Sequence, residues 1–518
     1  MQRTTEGFLW TPSGSKSGLS TDACIKESPS ELLKPFYDVV VVGAGFAGLV
    51  AARDLSKENL SVLLIEARDR IGGRTWTARE LGEEFEMGGT WVHWNQPHVY
   101  AELSRYNLHR NLKTSSGTAA PSAHFYKPPS PTRSGSSTST NTAHANESLE
   151  TPSQAVADAF FSVDGFDSHS LMPYPHDPLR KPIQPWLKYD KLTIKDRLVQ
   201  LKDLPQADKD IFDTFMSSLG SAPGSDIGFV EALRWYALGG HGMASMFELA
   251  GLYKLGNGGM TAFAKKIFAD FRGDVVVGEV VKTVSQENKD SVAITTKDGR
   301  RFKAGQVICT VPLNCLSDVS FTPPLSPLKQ EAIHHGHINK GAKIHFKLST
   351  PGDQPWFALA SGYSDSPWCF AFSDHNGTSS SNGKDTFAIG FGYNDRLPTD
   401  PTTPEAAKQI TTSFKRHLQP AELEEKTQVA AFLTHAWHAD PLAKGVWSCW
   451  GPGAMSAYLE ELQRPHGRVI FANADWADGW RGFVDGAIER GYRAAREILE
   501  RRKDGRSEVT AGAKLQAI

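Results

Sequence analysis

Residues 37–66 of this chain are YDVVVVGAGFAGLVAARDLSKENLSVLLIE, in which two apolar runs lie on either side of a glycine-rich turn. The runs at residues 37–42 and 61–66 are rich in β-branched and other apolar residues, which is typical of buried parallel strands. The segment that follows the turn has the apolar spacing of a helix. The pattern therefore predicts one β-α-β unit of the usual length.

The turn carries Gly43, Gly45 and Gly48 in the spacing GxGxxG. Glycines at these positions permit a tight turn and let a pyrophosphate approach the N-terminus of the following helix. Glu66, at the end of the second strand, lies where an acid would accept hydrogen bonds from ribose hydroxyls. A glycine-rich turn alone is weak evidence because such turns are common. Strand, helix and acid together predict a dinucleotide site for an unphosphorylated ribose, as in FAD or NAD.

The next segment favours FAD over NAD. Residues 66–74, EARDRIGGR, look like the segment after the ribose acid in glutathione-reductase-like flavoproteins. A glycine pair flanked by arginines suits a second loop near the phosphates, although a charged surface turn could have the same composition. Residues 256–259, GNGG, have the wrong spacing for a second dinucleotide motif. With no NAD(P) module to reduce the flavin, the substrate itself must do so.

The composition excludes several classes of function. The chain has 518 residues, enough for two or three domains, of which 40% are hydrophobic and 22% charged. A formal net charge of -2 does not provide the positive field that nucleic-acid binding needs. The five cysteines are an odd number without close metal-type pairing, which favours reduced thiols and no metal site.

The sequence also predicts an intracellular, cytoplasmic and soluble protein. The first thirty-odd residues are polar, unlike a secretory signal peptide. The longest apolar stretch, residues 39–52, is too short to span a bilayer, so we expect no membrane anchor. Residues 513–515, Ala-Lys-Leu, resemble a peroxisomal address, but three residues follow them and such addresses are read at the extreme C-terminus.

Three segments are predicted to lack regular structure. Residues 1–35 show no periodicity and are interpreted as a flexible or draped extension. Residues 114–154 are rich in Ser, Thr, Pro and Ala and are interpreted as a disordered insertion, with a smaller loop of this kind at residues 374–385.

Elsewhere the periodicity is informative. Residues 193–255 are mostly helical in pattern, and residues 274–310 have the alternation of strands with turns at 288–290 and 298–299. A long amphipathic helix is predicted from Gly486 to about Arg501.

Four further motifs occur in the order seen in one known family: EMGGTWVH (86–93), GGMTAF (258–263), ICTVPL (308–313) and GWRGFVDGAI (479–488). Together they resemble the flavin-dependent monoamine oxidase family. PYPHDP (173–178) and GHIN (336–339) bring the chain nearest to the soluble fungal monoamine oxidases with non-covalent FAD. The resemblance extends from about residue 36 to residue 501.

The resemblance implies an α/β fold, in which a glutathione-reductase-like FAD-binding domain of Rossmann type is interleaved with an α+β substrate domain. The FAD-binding domain would comprise residues 36–112, 255–320 and 441–503. The substrate domain would comprise residues 113–254 and 321–440, with a polar tail at residues 504–518.

The resemblance also assigns residues to the cofactor. Asp475 departs from the pattern because many relatives have Glu there, which puts its reach toward the ribityl-phosphate portion in doubt. The residues placed around FAD are Gly43, Gly45, Gly48, Glu66, Arg68, Gly73, Arg74, Gly89, Thr90, Val281, Trp437, Asp475 and Val484.

Lys343 is the catalytic residue on which local pattern and resemblance disagree. In residues 342–348, AKIHFKL, apolar residues alternate with polar ones, which alone predicts a strand with a solvated face. The resemblance implies instead that this polar face lines the flavin cavity, where Lys343 holds a water beside the reactive nitrogen.

Trp447 and Phe483 match the paired aromatic residues that flank the substrate amine in the family. In isolation, such side chains are more often packing residues. Val446 occupies the position of the cysteine that attaches the flavin covalently, so we expect non-covalent FAD. Further substrate-pocket candidates are Trp91, His93, His241, Met243 and Asn339; for the two histidines a structural role is equally compatible with the sequence.

The predicted reaction is oxidative deamination of a primary monoamine with oxygen to aldehyde, ammonia and hydrogen peroxide. The expected partners are thus a small-molecule amine and molecular oxygen; the oligomeric state is open, a homodimer included. The alternatives are a polyamine or L-amino-acid oxidase, or a catalytically silent flavoprotein. Residues 87–92 contain no arginine for a substrate carboxylate, and the pocket candidates include no acid for a distal ammonium. The direction of Arg481, next to Phe483, stays open.

Overall fold

The computed structural model describes residues 2–127, 150–288, 290–339, 341–349, 355–360, 366–375, 386–393, 395–418 and 428–515. The strands, in chain order, are β1 (Gln2–Arg3), β2 (Phe8–Thr11), β3 (Gly14–Ser17), β4 (Ser20–Thr21), β5 (Tyr37–Val42), β6 (Val62–Glu66), β7 (Thr77–Glu80), β8 (Glu83–Glu86), β9 (Leu112–Thr114), β10 (Ala123–Lys127), β11 (Tyr253–Leu255), β12 (Asp274–Val277), β13 (Val281–Asn288), β14 (Ser291–Thr296), β15 (Arg301–Cys309), β16 (Ser320–Thr322), β17 (Gly341–Leu348), β18 (Trp356–Ala360), β19 (Trp368–His375), β20 (Thr386–Tyr393), β21 (Val429–Thr434) and β22 (Val469–Phe471).

The helices are α1 (Phe46–Lys57), α2 (Pro97–Arg105), α3 (Ser116–Ala119), α4 (Glu150–Phe160), α5 (Ser168–Leu171), α6 (Ile194–Gln200), α7 (Gln206–Gly220), α8 (Phe229–Leu238), α9 (Met243–Gly251), α10 (Gly259–Ala269), α11 (Pro327–His335), α12 (Pro404–Leu418), α13 (Ala454–Gln463) and α14 (Val484–Leu515). Within the described residues, no helix combines the length and the apolar character needed to cross a membrane.

The predicted β-α-β unit lies at the centre of the first large sheet. Strand β5 pairs in parallel with β6 on one side and with β15 on the other, and β12 and β22 continue the parallel arrangement. The side chains of Val40 and Val41 are fully buried because both faces of this sheet are covered. The sheet therefore draws its strands from three distant parts of the chain.

The second large sheet has the order β10-β18-β19-β20-β17-β21-β2-β3 and is antiparallel except for the β10–β18 pair. Its middle strand β17 pairs with β20 and β21, so both of its edges are hydrogen-bonded. This sheet and the parallel one give the mixed α/β architecture that the sequence predicts.

The N-terminal segment is ordered, so for residues 2–21 the draped alternative describes the structure and the flexible one does not. Strands β2 and β3 form a hairpin that extends the second sheet, with Phe8 opposite Thr434 of β21. Phe8 and Leu9 are buried there. The physical reason is tertiary: the edge of β21 offers unpaired backbone groups and an apolar face, neither of which the local sequence reveals.

The Ser/Thr-rich insertion is also more ordered than expected at its two ends. Strand β10 pairs with β18, and α4 packs on α7, with the Phe160 and Phe212 ring centroids 4.8 Å apart. Residues 128–149, to which the same prediction applies, lie outside the described residues. In the smaller loop, Asp374 and His375 end strand β19, whereas residues 376–385 lie outside the described residues.

The remaining element predictions agree with the structure. Helices α6 to α9 occupy the segment predicted as helical, and β12 to β15 occupy the segment predicted as strands. Helix α14 begins at Val484 and continues past the predicted end. It crosses α1 closely, since a Cβ added to Gly491 would lie 2.5 Å from the carbonyl oxygen of Ala47.

Candidate active site

A cavity of about 770 Å³ is lined by residues from both large sheets and from the helices between them. One end lies at the carboxyl ends of β5 and β6, and the other lies among aromatic side chains of the second sheet. Sixteen of the residues predicted for the site line this cavity: Gly43, Gly45, Glu66, Arg68, Gly73, Arg74, Gly89, Thr90, Trp91, Met243, Val281, Lys343, Trp437, Trp447, Phe483 and Val484.

The glycine-rich turn forms a bare backbone cradle at the first end. Gly43 has φ +103°, a conformation that favours glycine. A Cβ on Gly48 would lie 1.9 Å from the carbonyl oxygen of Gly43, so only glycine lets α1 start this close to β5. Gly48 therefore acts through packing and does not itself line the cavity. Gly45 meets Gly73 of the second loop, where an added Cβ would be 3.2 Å from Gly45.

Glu66 connects the end of β6 to both loops. Its Oε2 accepts from the Ala44 N–H at 2.6 Å, and its Oε1 accepts from the Arg68 N–H at 2.8 Å. Burial raises the pKa of the Glu66 carboxyl, and these backbone hydrogen bonds oppose that rise. The carboxylate is thus fixed on the cavity wall at the position predicted for ribose recognition.

Arg68 and Arg74 hold the cavity wall through ion pairs. Arg68 pairs with Asp440 at 2.8 Å and with Glu6 of the N-terminal segment. Arg74 pairs with Asp475 at 2.8 Å. Asp475 is fully buried, accepts from the Leu313 N–H at 2.9 Å, and does not line the cavity.

Lys343 lies at the middle of the cavity and is 5% exposed, so the solvated face that alternation predicts is not observed. Its Nζ donates to the backbone oxygens of Glu86 at 2.7 Å and Gly88 at 3.1 Å, and to the hydroxyl of Thr90. The ammonium also lies 4.9 Å from the centre of the Trp91 ring. Burial lowers the pKa of Lys343 to about 7, against the attraction of Glu86.

The far end of the cavity is aromatic. Lys343 is directly opposite Phe391 in the β17–β20 pairing. Phe391 lies 4.6 Å from Phe370, 5.7 Å from Trp91 and 6.2 Å from Trp447, measured between ring centroids. Such rings form an apolar slot that excludes water and orients a ligand through shape.

Trp447 and Phe483 both line the slot. The indole N–H of Trp447 donates to the Leu219 carbonyl at 2.7 Å, which fixes the ring. Phe483 packs edge-on against Trp480 at 5.1 Å. Trp437 lines the cavity as predicted, and its indole N–H donates to the Met87 carbonyl at 2.8 Å.

Three predicted pocket residues do not line the cavity. His241 stacks on His169 with 3.5 Å between centroids, and its Nδ1 lies 2.8 Å from the Ser168 hydroxyl. The side-chain oxygen of Asn339 accepts from the Gly341 N–H at 2.8 Å and shapes the turn before β17. His93 lies behind the wall, with its Nε2 3.1 Å from Glu248. For all three, structural hydrogen bonds explain the position.

The sequence analysis missed two kinds of lining residue. Glu248 on α9 is an acid on the cavity wall, and its side chain is 41% exposed. It lacks a motif and sits in an apolar helix, so no local signal marks it. The missed phenylalanines of the helices are Phe46, Phe215 and Phe247, and those of the second sheet are Phe357, Phe370, Phe372 and Phe391. Alternation in β19 and β20 predicts that they share a sheet face, but not which side of the sheet is covered.

Arg481 does not line the cavity. It is fully buried, pairs with Glu231 at 3.1 Å, and lies over the Trp450 ring at 4.0 Å. Its charge is therefore paired with the buried carboxylate of Glu231 and does not face the cavity.

The donor set fits FAD. Two glycine loops leave room for a pyrophosphate, Glu66 faces the ribose position, and the cavity continues without interruption to Lys343 and the aromatic slot. These residues would hold the dinucleotide at one end and an isoalloxazine ring in front of the slot.

Comparison with known proteins agrees with this geometry. Residues 46–499 match the family described as flavin containing amine oxidoreductase. The chain is 33% identical to a pseudooxynicotine dehydrogenase from a Pseudomonas species, over 93% of this chain and 90% of that protein. It is 32% identical to a nicotine dehydrogenase from Pseudomonas putida, over 90% of this chain and 88% of that protein.

A solved structure of a putrescine oxidase double mutant has the same fold. The TM-score is 0.73 at 22% identity, and the match covers 90% of this chain and 99% of the other.

Proposed function

This chain belongs to the family of flavin-containing amine oxidoreductases, and from that premise we propose that it oxidatively deaminates a primary monoamine with an alkyl or aralkyl body. The products are the aldehyde and ammonia, FAD is held non-covalently, and oxygen reoxidises it to give hydrogen peroxide. The observation that carries the proposal is the juxtaposition of Lys343 with the aromatic slot of Trp91, Phe391 and Trp447.

The glycine loops and Glu66 would hold FAD, which when bound would supply the acceptor for a hydride equivalent from the carbon next to the amine nitrogen. The side chains of the protein position the substrate. Trp447, Phe391 and Phe483 confine an apolar substrate body, so the reacting carbon is presented in a narrow range of orientations. Because the slot is apolar, a substrate ammonium must lose its proton before the neutral amine occupies the slot and reacts. Lys343, with a pKa lowered to about 7, is suited to take the proton that a substrate ammonium loses.

The cavity favours amines without a second charge. Arg481 is paired with Glu231, so among the described residues that line the aromatic end no arginine is placed to pair a substrate carboxylate. This argues against an L-amino-acid oxidase. Glu248 is the feature that would favour a polyamine, since a carboxylate on the wall could pair a distal ammonium.

A substrate panel tests the proposal. Purified protein is assayed with hexylamine, benzylamine, phenylalanine, spermidine and nicotine, the last because two relatives are named for nicotine and pseudooxynicotine. We expect kcat/KM for hexylamine or benzylamine to exceed that for phenylalanine and spermidine by at least about ten-fold, because an unpaired buried charge costs several kcal/mol. A preference for phenylalanine or spermidine would overturn the monoamine proposal.

Two measurements identify the electron acceptor. Each amine is assayed once by peroxide release and once with an artificial dye under anaerobic conditions. Peroxide formed in proportion to aldehyde supports the oxidase proposal, whereas turnover with the dye alone contradicts it. Both relatives reported above are named dehydrogenases. If no amine gives either peroxide or dye reduction, the catalytically silent flavoprotein is favoured.

A matched variant at Glu248 distinguishes the monoamine proposal from the polyamine alternative. Glu248→Gln keeps the shape of the side chain and removes its charge. If spermidine is the best substrate and Glu248→Gln removes that preference, the wall carboxylate selects a diamine. If the monoamine proposal is correct, Glu248→Gln changes kcat/KM for benzylamine by less than about two-fold, because a single exposed charge contributes little to an uncharged substrate.

A further inference from the structure

Glu86 is a buried acid that lies behind Lys343. Its backbone oxygen accepts from Lys343 at 2.7 Å and from His345 at 2.8 Å. Its Oε1 accepts from the Met260 N–H at 2.9 Å and from the Thr77 hydroxyl at 3.0 Å. Its Oε2 is buried, and no hydrogen-bond partner for it occurs among the described residues. An unpaired buried carboxylate oxygen is costly, so this atom calls for a physical explanation.

A second, small cavity adjoins Glu86. Its volume is about 10 Å³, which is close to the space that one water molecule needs, and its wall is mostly polar. The cavity is lined by Glu84, Glu86, Thr90, Lys113, Lys254, Leu255, His345, Asp374 and Ile389. We refer to it as the polar chamber. Thr90 lines both the polar chamber and the large cavity, so this residue lies at the boundary between them.

The polar chamber reaches the protein surface. Lys113 is exposed, and the side chain of Glu84 is 31% exposed. On the inner side, Lys254 forms an ion pair with both oxygens of Asp374. The chamber therefore connects buried Glu86 with solvent through charged side chains.

We propose that Thr90, the polar chamber and Glu86 form a proton exit that carries the substrate's proton from Lys343 to solvent, separately from the cavity where the amine binds. Thr90 and Glu86 are then positioning residues for proton transfer. The proposal rests on amine oxidation as the function of the large cavity.

One proton passes from the substrate to solvent in each reaction. A substrate ammonium, R-CH2-NH3+, gives one proton to neutral Lys343 and becomes the neutral amine that reacts. Lys343 then returns to the neutral form: the Thr90 hydroxyl turns from the Gly88 carbonyl toward a water in the polar chamber, takes a proton from Lys343 and gives its own to that water. The water passes one proton to the Glu86 carboxylate, which releases it to solvent. No electrons move in these steps.

The hydroxyl of Thr90 can serve both states of Lys343. When Lys343 is charged, its three N–H groups match the three oxygens that surround it: those of Glu86, Gly88 and Thr90. The Thr90 hydroxyl then donates to the Gly88 carbonyl at 2.9 Å. When Lys343 is neutral, the same hydroxyl can turn and donate to the nitrogen lone pair. A small rotation thus accompanies each proton transfer.

The acid–base properties agree with this geometry. Burial raises the pKa of the Glu86 carboxyl and lowers that of Lys343, so proton transfer between them is easier than between an ordinary ammonium and an ordinary carboxylate. The charged groups that face the pair are Lys254 and Asp374, with Glu84 and Lys113 farther out along the chamber. His345 stays neutral because burial lowers its pKa to about 3.

Infrared spectroscopy tests the state of Glu86 without turnover. In FAD-free and FAD-bound protein we expect a protonated-carboxyl band that disappears as pH rises through about 7. Glu86→Gln should remove this band. The matched control is Asp213→Asn, because Asp213 is a buried acid whose pKa is raised by burial to about 6 and which lines neither cavity. A band near pH 7 that survives in Glu86→Gln overturns the proposal.

Proton release tests the route. The best amine from the panel is mixed anaerobically with the enzyme and a pH indicator in a single turnover. Thr90→Val should slow proton release by at least about a hundred-fold, the lower end of what a positioned proton-transfer group contributes, while Thr90→Ser should restore it to within about two-fold. FAD affinity measured for each variant shows whether cofactor binding is intact. Equal release rates in Thr90→Val and wild type overturn the exit, as does a Thr90→Ser variant as slow as Thr90→Val.

The pH dependence gives a second kinetic readout. Activity is expected to rise with pH as Lys343 loses its proton near pH 7. Glu86→Gln removes a negative charge that favours charged Lys343, so the rising limb should move to lower pH. A limb that stays in place contradicts the coupling. If no amine is oxidised, the function proposed above fails, whereas the infrared result still reports on Glu86 itself.

Discussion

Glu66 shows that one side chain of this site can both face the cavity and hydrogen-bond to the backbone of the loops around it. It faces the cavity, and its two oxygens also accept from the N–H groups of Ala44 and Arg68. The carboxylate therefore holds the two glycine loops in place, and it would offer an acceptor to the ribose of a bound FAD.

We expect Glu66→Ala to weaken FAD binding by about 1–3 kcal/mol, the usual cost of losing charged hydrogen bonds. Fluorescence titration of the FAD-free protein measures the affinity. Glu80→Gln is the control, because Glu80 is buried to a similar extent but pairs with Lys16 away from the cavity. Unchanged affinity in Glu66→Ala would show that neither the contacts with the loops nor those with the ribose contribute to FAD binding.

At the scale of elements, the start of α14 is tied to α2. Asp485 accepts from the backbone N–H groups of His98 at 2.7 Å and Val99 at 2.8 Å, which caps α2 from another helix. The His98 ring is also 3.0 Å from Asp485. Since Val484 and Phe483 line the cavity beside this contact, the cap helps to place them.

This cap should make stability depend on pH. Burial alone would lower the pKa of His98, but the hydrogen bond and charge of Asp485 outweigh it, so the net pKa is raised. The stabilisation is thus fully present below the unfolded pKa of about 6.5 and is lost as pH rises through the folded pKa.

Thermal denaturation of His98→Asn tests the pH dependence. Because His98 is partly exposed, solvent screens the pair, and we expect its loss to cost no more than about 0.5 kcal/mol, or roughly 1–2 °C in Tm. The Tm difference from wild type should be larger at pH 6 than at pH 8.5. His334→Asn, at an exposed histidine of α11, is the control and should give no such trend. A difference independent of pH would contradict the assigned ion pair.

Sequence patterns predicted where strands and helices lie better than they predicted which residues surround them. The apolar runs around Gly43 and the spacing to Glu66 predicted β5, α1 and β6, and the motif order predicted the family; both are confirmed. The alternation around Lys343 predicted a strand but the wrong environment. Which face of β17 is covered depends on residues far away in the chain, about which the local periodicity carries no information. The likeness to fungal enzymes, the domain boundaries and the assembly state stay predictions.

At the scale of the whole molecule, the cavity lies where chain segments from both sheets meet. The family resemblance predicts that Val446 replaces an attaching cysteine, and Cys315 is the cysteine among the described lining residues. Burial raises the pKa of Cys315 to about 12, so its thiol is protonated and a poor nucleophile.

Unfolding of the whole protein should therefore release the flavin. After heat or acid denaturation and centrifugation, we expect the yellow colour and the FAD spectrum in the supernatant. Denatured protein mixed with added FAD controls for trapping in the precipitate. Flavin that stays with the washed pellet, and not in that control, would show a covalent bond.

The arrangement of the first sheet has a consequence for how the protein is made. Strand β15 lies between β5 and β22, and α1 is covered by α14 near Gly491. During synthesis on the ribosome the glycine-rich turn emerges more than 400 residues before its covering helix. This sheet thus stays incomplete over that length of chain, and such distant pairings fold slowly. A nascent chain would expose the apolar faces of β5 and α1 during that wait, so yield in a host cell should depend on chaperones.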